Sequence, residues 1–280
     1  MILLMGASGY IGNYLFNEFK KENIDILGTY LQNKIPEAIK FDLEKDSISG
    51  LNLENKIDYL IISAAANPKP DISKKYWNNS YLINVTKTKE LIDYCFKNNI
   101  TPVYISTDNI FDGKKGNYKE GDERNPLNSY GQIKYEIENY LLSSEKSFLL
   151  LRMGKTFKTI KDDPTLFTNM KAGDKLNLAT DQVFTPLYLK DLYEFMKKAI
   201  QENYTGIFHL ASVHPTTRYH IAKTTRDFFN IKDVELIPCS IESLGLLEKR
   251  PKLIDLNVEK YKKLMGKKQE EIEHFLRMIK

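Results

Sequence analysis

Cysteine is scarce: the 280 residues hold two, Cys95 and Cys239, far apart and outside any C-x-x-C pair. That excludes a disulfide framework and a cysteine-based metal knuckle, and it fits a reducing, cytoplasmic compartment. Long apolar runs are also missing. None approaches the roughly 18 residues that cross a bilayer, so the chain reads as soluble with no membrane contact. The start, Met1-Ile2-Leu3-Leu4-Met5-Gly6, lacks a basic segment and reaches glycine too early for a signal peptide; it reads instead as a buried first strand. Neither sign of charge dominates. Lys and Arg number 41 against 37 Asp and Glu, a net +4 with no basic stripe, which argues against a nucleic-acid partner. What is present is an ordinary globular composition, 42% hydrophobic and 28% charged, without repeats or low-complexity linkers. The length suits one large domain or two modest ones, with a core that needs no disulfide or metal.

Short apolar runs alternate with amphipathic stretches through the first two thirds, the pattern of strand, crossover helix, strand and hence of a parallel sheet. The expected strands are Ile2–Met5, Asp25–Tyr30, Ala38–Phe41, Tyr59–Ser63, Val103–Ser106 and Phe148–Leu151. A helix over Tyr10–Lys21 turns Ile11, Leu15, Phe16 and Phe19 to the sheet, and one over Tyr81–Lys97 turns Leu82, Val85, Leu91, Ile92 and Cys95 inward. Two more are expected over Ser129–Leu142, with Ser129 as N-cap, and Leu189–Asn203. The polar loop Asp112–Asn128 is too long for a simple connector, and loops of that kind carry function. Past Gly154 the regularity weakens: Lys155–Thr185 and His209–Lys280 are more irregular and richer in Pro and charge. In the Lys-rich stretch Lys260–Lys268, the nearby Glu259, Glu270, Glu271 and Glu273 predict a solvated amphipathic helix, not a polyanion site.

Gly6-Ala7-Ser8-Gly9-Tyr10-Ile11-Gly12 sits between an expected strand and an expected helix, the context that gives a glycine motif its meaning. Gly6 permits a tight turn, Gly9 lets a pyrophosphate approach the backbone, and Gly12 lets the helix pack on the sheet with phosphates over its N-terminus. The alternative is a plain turn. The spacing is G-x-x-G-x-x-G. The fold class expected is therefore α/β, a Rossmann-type doubly wound parallel sheet with a smaller C-terminal substrate lobe. The dinucleotide-binding core covers residues 1–155 and takes back 187–206; the lobe is built from 156–186 and 207–280. At the end of the second strand an acid would favour a ribose 2′-hydroxyl and repel a 2′-phosphate. Gly28-Thr29-Tyr30-Leu31-Gln32-Asn33-Lys34 has no acid and one Lys, which favours NADP(H) over NAD(H), with Tyr30 and Lys34 as contacts. Lys34 as an ordinary surface lysine is the alternative. Asp42, after the third strand, is placed either to touch the adenine or to serve as a turn residue.

Tyr130 and Lys134 stand four apart on an expected helix and share a face. A nearby ammonium favours the ionised phenol, so the pair can exchange a proton with a carbonyl oxygen while the Lys holds a cofactor ribose. In a chain with 17 Tyr the spacing also arises by chance. Ser106-Thr107-Asp108 ends the fifth strand, where open parallel sheets bind ligands, and a hydroxyl there can steady the same oxygen or simply cap a turn.

With these pieces, Ser63-Ala64-Ala65-Ala66, Asn84-Val85, Ser106 to Gly113, Pro126 to Lys134, Asp181-Gln182, Thr185-Pro186, Gly206 to Ala211 and Arg250-Pro251 follow in the order of the extended short-chain dehydrogenase/reductases. Across nearly the whole chain the sequence resembles the dTDP-4-dehydrorhamnose reductase-like family. The resemblance implies hydride transfer to a 4-keto sugar nucleotide, with Thr107, Tyr130 and Lys134 as hydroxyl, acid and lysine, and Asn84 supporting a water relay. It implies a cofactor site of Gly6, Ser8, Gly9, Tyr10, Ile11, Gly12, Tyr30, Lys34, Asp42, Leu43, Ala64, Ala65, Ala66 and Asn84, together with Tyr130 and Lys134. No metal is implied, and a homodimer through the Tyr81–Lys97 and Ser129–Leu142 helices is. Arg152, Arg218 and Arg250, with their planar donor forks, are candidates for the substrate phosphates, and Asn109 for the sugar. Asn109 and Ile110 replace the family's Tyr-Val, and Arg152-Met153-Gly154-Lys155-Thr156-Phe157 departs from Arg-Thr-Ser-Trp-Val-Tyr. Both changes are expected in the substrate pocket, so the sugar is left open. Two alternatives stand: an epimerase or dehydratase of the same superfamily, and a regulatory subunit like that of methionine adenosyltransferase, which resembles this family too.

Overall fold

The computed structural model describes residues 1–51, 53, 55–158, 167 and 169–266. Along the chain run β1 (Ile2–Met5), α1 (Tyr10–Lys21), β2 (Ile26–Tyr30), β3 (Ala38–Lys40), β4 (Tyr59–Ile62), α2 (Pro70–Lys75) and α3 (Trp77–Tyr81). A π-helical stretch, Leu82–Lys87, leads into α4 (Thr88–Lys97), followed by β5 (Thr101–Thr107), α5 (Ser129–Leu142) and β6 (Leu149–Met153). Then come β7 (Thr156–Phe157), β8 (Lys175–Ala179), β9 (Leu187–Tyr188), α6 (Leu189–Gln201), β10 (Gly206–Leu210), α7 (Arg218–Phe228), β11 (Glu235–Cys239) and α8 (Glu259–Met265).

Seven strands form one parallel sheet in the order β10-β6-β5-β4-β1-β2-β3. The chain builds outward from β1 to β3, then returns to lay β4 on the other side of β1, with Ile2 in register with both Ile26 and Tyr59. The expected Rossmann-type α/β fold is the one observed, and its reversal of strand order leaves the carboxyl ends of β1 and β4 side by side. Contacts gather the chain into two units. One comprises Met1–Thr107, Ser129–Leu151 and Tyr193–Ile207; the other comprises Asp108–Asn128, Arg152–Leu192 and Phe208–Lys280.

In the first unit, alternation along β1 sends Leu3 and Met5 to one face, where they join Leu60, Ile62, Val85, Ile92, Ile133 and Ile137. Each such aliphatic side chain contributes about 1.5–3 kcal/mol on full burial. On α1, Leu15, Phe16 and Phe19 are buried, and the Phe19 ring meets Tyr193 of α6 edge-on at 5.0 Å. The Tyr59 hydroxyl donates to Asn203 Oδ1 at 2.7 Å, tying β4 to the segment after α6.

The helix expected over Tyr81–Lys97 starts earlier and is not uniform. Its π-helical turn widens the backbone, and the Thr88 hydroxyl donates to the Ile83 carbonyl at 3.1 Å; such turns concentrate at functional positions. The irregular stretch expected from His209 onward in fact contains the end of β10 together with α7, β11 and α8. Of the Lys260–Lys268 stretch, α8 covers the first part and ends at left-handed Gly266; residues 267–280, including Glu270, Glu271 and Glu273, lie outside the described residues. Lys260 is not simply solvated, since its ammonium sits 3.8 Å from the centre of the Phe208 ring. No helix among the described residues is long and apolar enough to cross a membrane.

His209 makes β10 hard to recognise in the sequence, because a polar residue interrupts an apolar run, yet in the second unit it is buried outright. Nδ1 lies 3.0 Å from the Tyr118 carbonyl, which can only accept, so Nδ1 carries the proton. Nε2 then accepts from Arg152 Nη1 at 3.2 Å. Burial, and then the Arg152 charge, push the imidazole pKa down to about 3. Below an ordinary histidine pKa of 6.5 the unfolded chain therefore binds a proton that the folded chain refuses, and stability present above that pH is lost as pH falls toward 3. Urea titrations across the range from about pH 5.5 to 4 should show a loss of about 1.4 kcal/mol per pH unit from this residue. The contribution should be missing in His209→Gln; equal slopes for the two proteins would contradict the neutral, buried assignment.

Candidate active site

The loop after β1 is shaped by what its glycines lack. Gly6 has φ +85°, and a Cβ there would stand 2.7 Å from the Ala64 backbone. A Cβ on Gly12 would fall 2.1 Å from the Gly6 carbonyl oxygen. These positions let the loop after β1 touch both the loop after β4 and the first turn of α1. The loop is also hydrogen-bonded in place: Gly9 N–H donates to the Gly6 carbonyl at 3.0 Å, and Ala7 N–H to the Thr29 carbonyl at 2.8 Å. Gly6 N–H donates to Thr29 Oγ1 at 3.0 Å. Thr29 is a scaffold residue that the sequence alone did not single out. Helix α1 begins behind Gly9 with no side-chain cap and no acid in its first turn, and Gly9 and Tyr10 are exposed. A helix start of this kind favours an anion.

The other expected cofactor residues spread around this loop. Ser8, Ile11 and Tyr30 are half-buried and Lys34 is exposed. Asp42 serves a turn: its carboxylate accepts from Glu44 N–H at 3.1 Å and pairs with Lys45 at 3.6 Å, while Leu43 packs against the core. Ala64, Ala65 and Ala66 follow β4, and Asn84 fastens them. Its Oδ1 accepts from Ala66 N–H at 2.8 Å and its Nδ2 donates to the Ala66 carbonyl at 2.7 Å.

Thr107 ends β5 and is buried; Tyr130 lies in the first turn of α5 and is half-buried. Lys134 is 8% exposed, and its ammonium donates to the Ile105 carbonyl at 2.8 Å and stands 4.6 Å from the centre of the Tyr104 ring. Burial pushes its pKa down to about 8, while the Glu138 charge pulls the other way. Burial, with the Tyr130 and Glu138 charges, raises the Tyr104 phenol well above its usual value. The structure thus gathers Tyr104, Ser106, Lys134 and Glu138 along one seam between β5 and α5. Glu138 escaped the sequence analysis, although its place four residues after Lys134 was a readable signal.

The substrate residues are placed differently from expectation. Arg152 is 1% exposed and commits its guanidinium to the Glu120 carbonyl, His209 and the Phe111 ring. It holds the 108–128 segment and does not face an incoming phosphate. Ile110 and Met153 are buried in the second unit, and a Cβ on Gly154 would fall 2.1 Å from the Thr185 carbonyl oxygen. Of the departures from the family pattern, Ile110, Met153 and Gly154 therefore belong to the packing of the second unit. Asn109 bridges Asp108 and Asn128 through its side-chain amide. Arg218 is half-buried at the start of α7, and burial lowers its pKa. Arg250 donates to the Glu248 carbonyl at 2.9 Å and lines a groove of about 950 Å³ in the second unit, with Asp112, Leu127, Asp181, Leu246 and Lys252.

The doubly wound sheet and the glycine loop at its switch point define a dinucleotide-binding type of α/β protein. Within that class the chain belongs to the RmlD substrate binding domain family, whose model matches residues 1–279. It is 28% identical over 262 residues to methionine adenosyltransferase 2 subunit beta of Danio rerio, covering 89% of this chain and 80% of that protein. Among solved structures it is similar to a dTDP-4-dehydrorhamnose reductase of Clostridium acetobutylicum, with 27% identity, TM-score 0.82, and coverage of 99% and 96%. It also shares the fold of the dTDP-4-dehydrorhamnose reductase of Bacillus anthracis in complex with NADP, with 23% identity, TM-score 0.83, and coverage of 99% and 96%.

Asn84→Ala removes both bonds to Ala66 and leaves a part-buried backbone pair without that partner, so it should cost about 1 kcal/mol of stability in urea titrations. A change under about 0.5 kcal/mol, the range of a neutral surface substitution, would contradict the clamp.

Proposed function

We propose that the chain is an NADP(H)-dependent reductase of a 4-keto deoxysugar nucleotide. One observation carries this: a buried Lys134 one helical turn after Tyr130, its side-chain nitrogen on a carbonyl of β5 two residues before Thr107. The first unit is the dinucleotide-binding part, with the phosphates over Gly9 and Tyr10 and the adenosine end near Tyr30 and Lys34. The lack of an acid after β2 supports a 2′-phosphate, as does NADP in the Bacillus anthracis relative. The second unit supplies the sugar-nucleotide site, with Asn109, Arg218 and Arg250 as its polar contacts.

A nicotinamide, when bound, supplies hydride to the sugar C4. The chain's own groups manage the proton. Tyr130 donates its phenolic hydrogen to the developing alkoxide, and Thr107 holds the same oxygen. Lys134 keeps a positive charge beside the phenol, which favours the phenolate that remains. With its pKa lowered to about 8, Lys134 is charged at neutral pH and loses that charge in mild alkali.

A second function, a regulatory subunit, is supported by the likeness to methionine adenosyltransferase 2 subunit beta. Stoichiometric copurification with another protein, and no reductase activity on keto sugars, would favour it. For the reductase, Tyr130→Phe should lower kcat at least about 100-fold on a 4-keto sugar nucleotide, the usual scale for a lost general acid, with NADPH affinity little changed. Turnover at the wild-type rate would contradict the role of Tyr130.

A further inference from the structure

We propose that Glu138, held by the Ser106 hydroxyl, is a positioning residue that keeps Lys134 cationic and fixed against the end of β5, and thereby sets the pH range in which Tyr130 and Lys134 work. The proposal rests on the reductase function above and assigns one more residue to it.

Glu138 is 0% exposed and sits one turn beyond Lys134 on α5, among the apolar side chains of Ile133, Ile137 and Leu141. A buried carboxylate costs several kcal/mol unless it is paired and hydrogen-bonded, and an apolar residue would fill the same space without that cost. Its partners explain its presence. Ser106 Oγ donates to Glu138 Oε1 at 2.5 Å, and the charge acts on Lys134, whose ammonium is otherwise held by the Ile105 carbonyl and the Tyr104 ring. The titratable groups set against this ammonium are Glu138 from α5 and Tyr104 from β5, while Tyr130 acts on Tyr104. Burial raises the Tyr104 phenol well above its usual pKa and keeps it neutral, so it offers the ammonium no ionic support. Glu138 is thus the group that opposes the effect of burial on Lys134. Ser106 also adjoins Thr107, so the bond that orients Glu138 ties α5 to the strand end carrying the hydroxyl.

The test is a lysine NMR titration of the full chain labelled at Cε with carbon-13, in which Lys134→Met assigns the signal. Glu138→Gln keeps the size and removes the charge; it should lower the Lys134 midpoint by about one pH unit, the low end for an opposite charge at close range. Glu138→Asp, which keeps the charge on a shorter side chain, should lower the midpoint less than Glu138→Gln does. An unchanged midpoint in Glu138→Gln overturns the proposal. Should that variant fail to fold, Ser106→Ala takes its place, with a smaller downward shift expected and an unchanged midpoint again overturning it. With a 4-keto sugar nucleotide, the alkaline limb of kcat/KM should move to lower pH in step with the midpoint. A chain that turns over no such substrate removes the reductase function, while the lysine titration still decides the place of Glu138.

Discussion

The site depends on a close approach of backbone at the reversal of strand order. Gly6 lies against Ala64, and Gly12 lies under the Gly6 carbonyl, at separations that leave no room for a Cβ. Because β1 and β4 are neighbours, the loops that follow them meet there, and the meeting is possible only without side chains. Thr29 fixes one side of this junction through Gly6 and Ala7, and Asn84 fixes the other through Ala66. The uncapped start of α1 is then held open beside the junction, which is where an anionic ligand gains most from helix amides.

A second seam, between β5 and α5, is polar inside an otherwise apolar contact. Lys134 and Glu138 are both buried there, each with a hydrogen bond of its own: Lys134 donates to the Ile105 carbonyl, and Glu138 accepts from the Ser106 hydroxyl. The seam also ties together the elements that carry Thr107, next to Ser106 on the strand, and Tyr130, one turn before Lys134 on the helix. In the second unit a comparable economy holds the 108–128 segment, where neutral His209 accepts from Arg152 and stacked Phe111 and Tyr118 lie against them.

Much of the first unit was legible because its determinants are local. Strand alternation, helical spacing and glycines at fixed offsets each report their own neighbourhood, and the observed elements differ mainly at their ends. The π-helical turn was not legible, since nothing in Leu82–Lys87 departs from an ordinary amphipathic pattern. The strand carrying His209 was missed because a buried histidine reads as polar until its partners, ninety residues away in sequence terms at Tyr118 and nearer at Arg152, are known. Arg152 failed for the same reason: a guanidinium fork reads as a ligand hand, and only burial shows that it is already occupied. Thr29 acts through its bonds to Gly6 and Ala7, and Glu138 through Ser106, contacts with residues far away in the sequence that the three-dimensional pairing reveals.

The most direct test is to add NADPH and a panel of 4-keto-6-deoxy sugar nucleotides to the purified chain and follow the dihydronicotinamide absorbance. A reductase consumes one equivalent of NADPH for each sugar reduced, and at least one member of the panel should show that stoichiometry. NADPH that stays reduced across the whole panel, or a tightly held nicotinamide that is never consumed while the sugar isomerises or loses water, would contradict it.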